Sequence, residues 1–196
     1  MTTVAETSAT PELTDLPEHG ALIARQAIVD DKRMVFGYEL FDRSRAPDTH
    51  NPASDASLLF NVLSHADSEL LVGKKTVFVN CTHDSLAGGY LELIHPDKVV
   101  LEVPPLPGNP AVEIETRTLA LADLRKRGFR FAFNHTVITR DYAAWLPLAS
   151  FIKIDMTRVR PEVVPALVRF ARQHSNAKLI AEKVETAEQY QRMAEQ

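Results

Sequence analysis

From Ala21 onward, short apolar runs alternate with longer segments whose apolar positions recur at helical spacing. Seven runs predict strands: LIARQAIV (22–29), MVFGYELF (34–41), TVFVN (76–80), KVVLEV (98–103), FRFAF (129–133), FIKID (151–155) and KLIAE (178–182). They are rich in Val, Ile and Phe and are bounded by Gly, Pro, Asn or Asp, as strands are. The first two lie close enough to pair as a hairpin through DDKR (30–33). Helical patterns fill the gaps. One covers 52–71, with Ser54 or Asp55 as its cap, and a weaker one covers 83–94, where Gly88 and Gly89 fall inside it. A third covers 109–128, with Pro110 near its start and Gly128 at its end. RDYAAWLPLA (140–149) predicts a short helix ended by Pro147, and 160–175 and 186–196 complete the set. Residues 1–20 are polar, rich in Thr and Pro and aperiodic, which predicts a disordered tail ahead of one domain over 21–196.

Strand–helix alternation predicts a parallel sheet with helices outside it. Five such units behind a hairpin suit either an open doubly wound sheet or a (β/α) barrel. An open nucleotide-binding sheet carries a glycine-rich phosphate turn after a strand, and the sequence has none. The expected class is therefore α/β, as a TIM-like (β/α) barrel.

Composition narrows function mainly by exclusion. At 196 residues, with 45% apolar and 24% charged, the chain suits one sizeable soluble core. A formal net charge of −4 argues against a general nucleic-acid binder, which needs a basic surplus. The basic cluster LRKRGFR (124–130) reads as the end of a helix before a glycine, where Lys and Arg are favoured anyway. Cys81 is the one cysteine, so neither an internal disulfide nor a paired-thiolate metal site is available. No apolar run has the length of a membrane span or a signal peptide, and the expected location is the cytoplasm.

Candidate chemistry gathers where the strands end. Side chains alternate faces along a strand, so Glu39 shares a face with Phe41 and Arg43, and Asn80 with Phe78. Glu102 lies opposite Leu101 and Val103, Lys153 and Asp155 face one way, and the last strand closes on Glu182. Singly, each has a plain explanation: Asn80 or Thr82 as a helix cap, Lys153 and Asp155 as a structural ion pair, the rest as solvated ends. Glu39 is harder to dismiss, because an acid in mid-strand needs a partner or a metal. Six such positions across five strands point to a site at the C-terminal rim, where barrels gather their reactive groups.

At these residues the chain resembles the EAL domains of bacterial cyclic di-GMP signalling. Those domains are (β/α) barrels that hydrolyse cyclic di-GMP to a linear dinucleotide with two Mg²⁺ or Mn²⁺ ions. Their Glu-Ala-Leu-x-Arg signature is similar to Glu39-Leu40-Phe41-Asp42-Arg43, and Gly37 and Tyr38 before it resemble the EAL-type domains joined to HDOD modules. The resemblance implies metal-binding roles for Glu39, Asn80, Glu102 and Asp155, a phosphate contact for Arg43, and catalytic places for Lys153 and Glu182. The usual acid three residues after Glu102 is Pro105, and in Glu182-Lys183-Val184-Glu185-Thr186 a lysine replaces the usual glycine. The aspartate pair of the family's Asp-Asp-Phe-Gly-Thr-Gly loop falls on Asn134 and His135. The similarity runs from about Ala21 to the end of the chain, which stops before the family's final strand–helix unit.

Two-metal phosphodiester cleavage needs both cations held close together, and Mg²⁺ wants hard oxygen ligands. Asn134 and His135 in place of two aspartates remove two formal charges. At ~4 Å and an effective dielectric of ~20, each lost charge weakens the attraction by several kcal/mol before solvent compensates. The expectation is a vestigial metal site, no useful turnover and no resident cofactor, with Mg²⁺ or Mn²⁺ the ions involved if activity or binding remains. A rival reading has His135 rebuild a site for Zn²⁺, Mn²⁺ or Fe²⁺, against a plain one in which His135 is a solvated loop residue and Asn134 a strand cap. The partners expected are proteins of unstated identity and weakly bound cyclic di-GMP, without nucleic acid or membrane. By resemblance alone, a homodimer pairing through helices near the lysine strand is also implied. The alternatives are a non-hydrolytic cyclic di-GMP receptor and a slow phosphodiesterase.

Overall fold

The computed structural model describes residues 23–42, 73–87 and 89–194. Seven strands form one sheet in sequence order: β1 (Ile23–Val29), β2 (Val35–Asp42), β3 (Thr76–Asn80), β4 (Val99–Val103), β5 (Arg130–Asn134), β6 (Ala149–Asp155) and β7 (Lys178–Glu182). β1 pairs antiparallel with β2, and every later pairing is parallel. Three helices accompany them: α1 (Ala111–Lys126), α2 (Val164–His174) and α3 (Ala187–Ala194). All seven predicted strands are present with ends shifted by no more than two residues, and DDKR is the hairpin turn.

Two predicted helices do not form. Over 83–94 there are short 3₁₀ turns at Ser85–Ala87 and Gly89–Leu93. Glycines inside a helix cost backbone entropy, and Thr82 Oγ1 draws the Ser85 N–H into a local cap instead (3.1 Å). The segment from Arg140 is held by its aromatic side chains rather than by a helical ladder, and only Leu146–Leu148, with Pro147 inside it, makes a 3₁₀ turn. The predicted helix over 52–71, the tail over 1–20 and Arg43 lie outside the described residues.

The strand period of two sorts the core into two layers. Val77, Val79, Leu101, Phe131, Phe133 and Ile152 pack outward with Leu121 and Leu124 of α1 and with Trp145. Phe78, Val100, Ala132 and Phe151 pack inward. β4 is buried along its whole length, as a parallel strand covered on both faces should be. Gly37 allows β2 and β3 to approach, because a Cβ there would stand 2.5 Å from the Thr76 carbonyl oxygen.

The sheet is curled. Phe36 on β2 and Phe151 on β6 have ring centroids 5.7 Å apart, whereas four strand spacings in a flat sheet would separate β2 from β6 by about 19 Å. The Tyr190 hydroxyl on α3 reaches the carbonyl oxygens of Asp30 (3.3 Å) and Asp31 (3.1 Å) in the β1–β2 turn. The Arg33 guanidinium lies 5.1 Å from the centroid of the same ring. The fold is thus a curled α/β sheet of TIM-barrel type.

Candidate functional site

One step beyond the inward apolar layer, each strand presents a polar side chain. Asn80 stands beside Glu102 in register, Asn134 beside Lys153, and Asp155 beside Glu182. At the C-terminal ends of the parallel strands, Glu39 from β2 joins Asn80, Glu102, Asn134, Lys153 and Glu182 around a cavity of about 590 Å³. The sheet's curl brings these ends together, and of the inward apolar layer Ala132 reaches the cavity wall.

Lys153 is the hub. Its ammonium donates to Glu39 Oε2 at 3.0 Å and to Glu102 Oε2 at 2.6 Å, and it lies 2.7 Å from Glu182 Oε1. The lysine side chain is 6% exposed, so these contacts replace its hydration. Burial alone would lower its pKa, but Glu102 and Glu39 outweigh that and hold it well above the ordinary lysine range. Glu102 responds in the opposite sense: burial pushes its carboxyl up to about 7, against the pull of Lys153. Its second oxygen, Oε1, is buried with no hydrogen-bond partner among the described residues. Asn80 Nδ2 lies 3.4 Å from Glu39 Oε1, a long contact that orients rather than binds.

Asp155 belongs to a different set. Its Oδ1 accepts the Thr157 N–H (2.9 Å) and hydroxyl (2.6 Å), and its Oδ2 accepts the Lys183 ammonium at 2.7 Å, with Arg158 Nε at 3.6 Å. Burial raises its pKa, but these hydrogen bonds prevail and hold the carboxyl far below the usual carboxylate range. Lys153 and Asp155 therefore do not pair with one another, although they share a face of β6.

The Asn134–His135 pair sits where β5 ends. Asn134 Oδ1 accepts the Thr136 N–H at 3.1 Å, capping the 3₁₀ turn His135–Val137. His135 is half-buried, and its Nδ1 faces the Asp155 N–H at 3.4 Å. Burial lowers its pKa, against the Lys153 backbone and the Asp155 and Glu182 carboxylates. Of the residues singled out from the sequence, Glu39, Asn80, Glu102, Lys153 and Glu182 converge on the cavity, whereas Asp155, beside Glu182 in register, is held in the separate set with Thr157 and Lys183. Thr157 and Arg158 were not legible, since nothing in their spacing marks them, whereas Lys183 was marked as a lysine in place of the family's glycine but its partner was not.

The resemblance implies a pair of divalent cations, and the donors present do not fit one. The glutamates converge on an ammonium, both oxygens of Asp155 are already hydrogen-bonded, and Asn134 spends its carbonyl oxygen on a backbone N–H. Among the described residues, no three His, Cys, Asp or Glu side chains are grouped so as to hold a metal ion.

Comparison with known proteins supports the same fold. No protein-family profile matches the chain. A cyclic di-GMP phosphodiesterase of Vibrio cholerae, CdgJ, is 25% identical over 177 residues, covering 86% of this chain and 39% of that protein. The Bacillus subtilis YkuI protein, which has an EAL domain and was solved with cyclic di-GMP and calcium, superposes with a TM-score of 0.65. It is 20% identical, over 86% of this chain and 50% of that one. Klebsiella pneumoniae BlrP1, solved with manganese and cyclic di-GMP at pH 9.0, gives 0.63 at 21% identity, over 91% and 53% of the two chains. The superpositions show that the chain has the fold of these proteins. It spans about two fifths of the curated relative's length and about half of each solved chain. Among the described residues, no helix is long and apolar enough to cross a membrane.

Proposed function

We propose that this is a catalytically degenerate EAL-type domain that serves bacterial signal transduction in the cytoplasm through protein contacts rather than through cleavage of cyclic di-GMP. One observation carries the reading: the two positions that hold aspartates in the family's loop are Asn134 and His135 at the end of β5, so the mouth lacks two anionic oxygens. Two-metal cleavage needs both cations held close together, and two missing anions leave their mutual repulsion uncompensated. Asn134, committed to its cap, and His135, turned to the Asp155 backbone, support the same conclusion. A signalling domain without turnover acts through what it touches, and Val112 and Leu119 on α1, 77% and 70% exposed, are apolar side chains available for that.

The cavity favours a second reading, a receptor that holds cyclic di-GMP without cutting it. At about 590 Å³ it has the size of a small-molecule site, and Thr82, Thr136 and Arg158 add polar groups to its wall. The glutamates in the same wall would repel a phosphodiester, which places this reading second. Calorimetry with cyclic di-GMP, with and without Mn²⁺, followed by chromatography of the mixture, separates the readings. Absence of heat and of product fits the degenerate domain, heat without product fits the receptor, and linear dinucleotide at catalytic turnover overturns both.

A further inference from the structure

We propose that Lys183 is a tethered cation that occupies the outer oxygen of Asp155 and closes that part of the barrel mouth to divalent metal ions, an inference that rests on the degenerate reading of the site. The ammonium lies 2.7 Å from Oδ2, while Oδ1 is taken by the N–H and hydroxyl of Thr157. Three donors take all but one of the acceptor directions of that carboxylate, and the Arg158 guanidinium stands 3.6 Å from the oxygen that keeps it. The Asp155 side chain is 5% exposed and that of Lys183 55%, so the lysine reaches inward from solvent to a buried acid.

The backbone explains how. The Glu182 carbonyl accepts the Met156 N–H at 3.1 Å, extending the β6–β7 pairing past the strand ends. At the next residue the chain turns, with Lys183 at φ +55°, a left-handed conformation that side chains other than Asn, Asp or Gly seldom adopt. The turn carries the side chain back across to β6. A lysine held at such a backbone position, with its charge on a buried carboxylate, is a built-in counter-ion. Together with Lys153, it gives the mouth two fixed ammonium groups where cations would otherwise be drawn from solution.

The test uses Mn²⁺ calorimetry on the full chain. In the Asn134→Asp/His135→Asp variant, which restores two anionic groups, the further change Lys183→Gly should tighten Mn²⁺ binding at least tenfold. Glycine takes φ +55° without strain, so this variant keeps the turn, and Lys183→Asn, also at ease there, should behave the same way. Lys183→Arg in the same background should bind no more tightly than the double variant, because it keeps the charge. Equal Mn²⁺ affinity with and without Lys183, or an arginine variant as tight as the glycine one, overturns the inference. Turnover of cyclic di-GMP by the wild-type chain would instead sink the degenerate reading, so the two failures are distinguishable.

Discussion

Lys153 on β6 and Glu39 on β2 are 114 residues apart in sequence and 3.0 Å apart in space. The contact crosses the mouth of the curled sheet and reports the curl as directly as the Phe36–Phe151 pair beneath it. It also sets the charge state of the site, because the same ammonium serves Glu102 and Glu182.

Removing that ammonium should leave buried acids facing one another. Lys153→Met is expected to destabilise the fold by about 3–5 kcal/mol, the usual cost of orphaning a buried charge. Adding Glu102→Gln should recover part of the loss. Urea unfolding of the single and double variants measures both effects.

Glu102 should make stability fall as pH rises toward neutrality. Its folded pKa, about 7, lies above the ordinary glutamate value of 4.5, so the native state binds more protons than the unfolded state between those values. The slope of stability against pH is then negative in that window. The contribution is fully present below about pH 4.5 and lost as pH rises through about 7, on the order of 3 kcal/mol at most. The difference between wild type and Glu102→Gln, followed by urea midpoints across this range, isolates it. An equal pH dependence in the two proteins contradicts the assignment.

Asn134 should behave as a cap. Asn134→Ala is expected to cost about 1 kcal/mol, whereas Asn134→Asp, which caps equally well, should be nearly neutral in stability. Thermal unfolding of the two variants checks the contrast.

Tyr142 pins the loop that leads from β4 to α1. Its hydroxyl accepts the Leu106 N–H at 2.7 Å and lies 3.1 Å from Asn109 Oδ1, deep under the rim. Tyr142→Phe leaves that buried N–H without its partner and should cost about 1–3 kcal/mol, read as a lowered urea midpoint with an unchanged slope.

Much of this architecture was legible in the sequence because it is local. Runs such as TVFVN and KVVLEV carry β-branched and aromatic residues over strand lengths, and Pro110 and Gly128 bracket α1. The polar strand ends were legible too, since an acid such as Glu39 amid apolar neighbours demands a partner. Which partner it takes was not, because Lys153 becomes a neighbour only when the sheet curls. The segment 83–94 misled for a local reason: its apolar spacing is helical, but two glycines and the Thr82 cap favour tight turns. Lys183 showed only as a lysine in place of the family's glycine, and its partner stayed hidden because a left-handed backbone rather than any pattern aims it at Asp155.

The account stands on the claim that a mouth with Asn134 and His135 in place of two aspartates, and with Lys183 on Asp155, holds no cage for paired dications. Electron paramagnetic resonance of the wild-type chain titrated with Mn²⁺ tests this most directly. The spectrum should remain that of free hexaaquo Mn²⁺ at micromolar concentrations of ion and protein. Two Mn²⁺ bound per chain with a spin-coupled signal would contradict it.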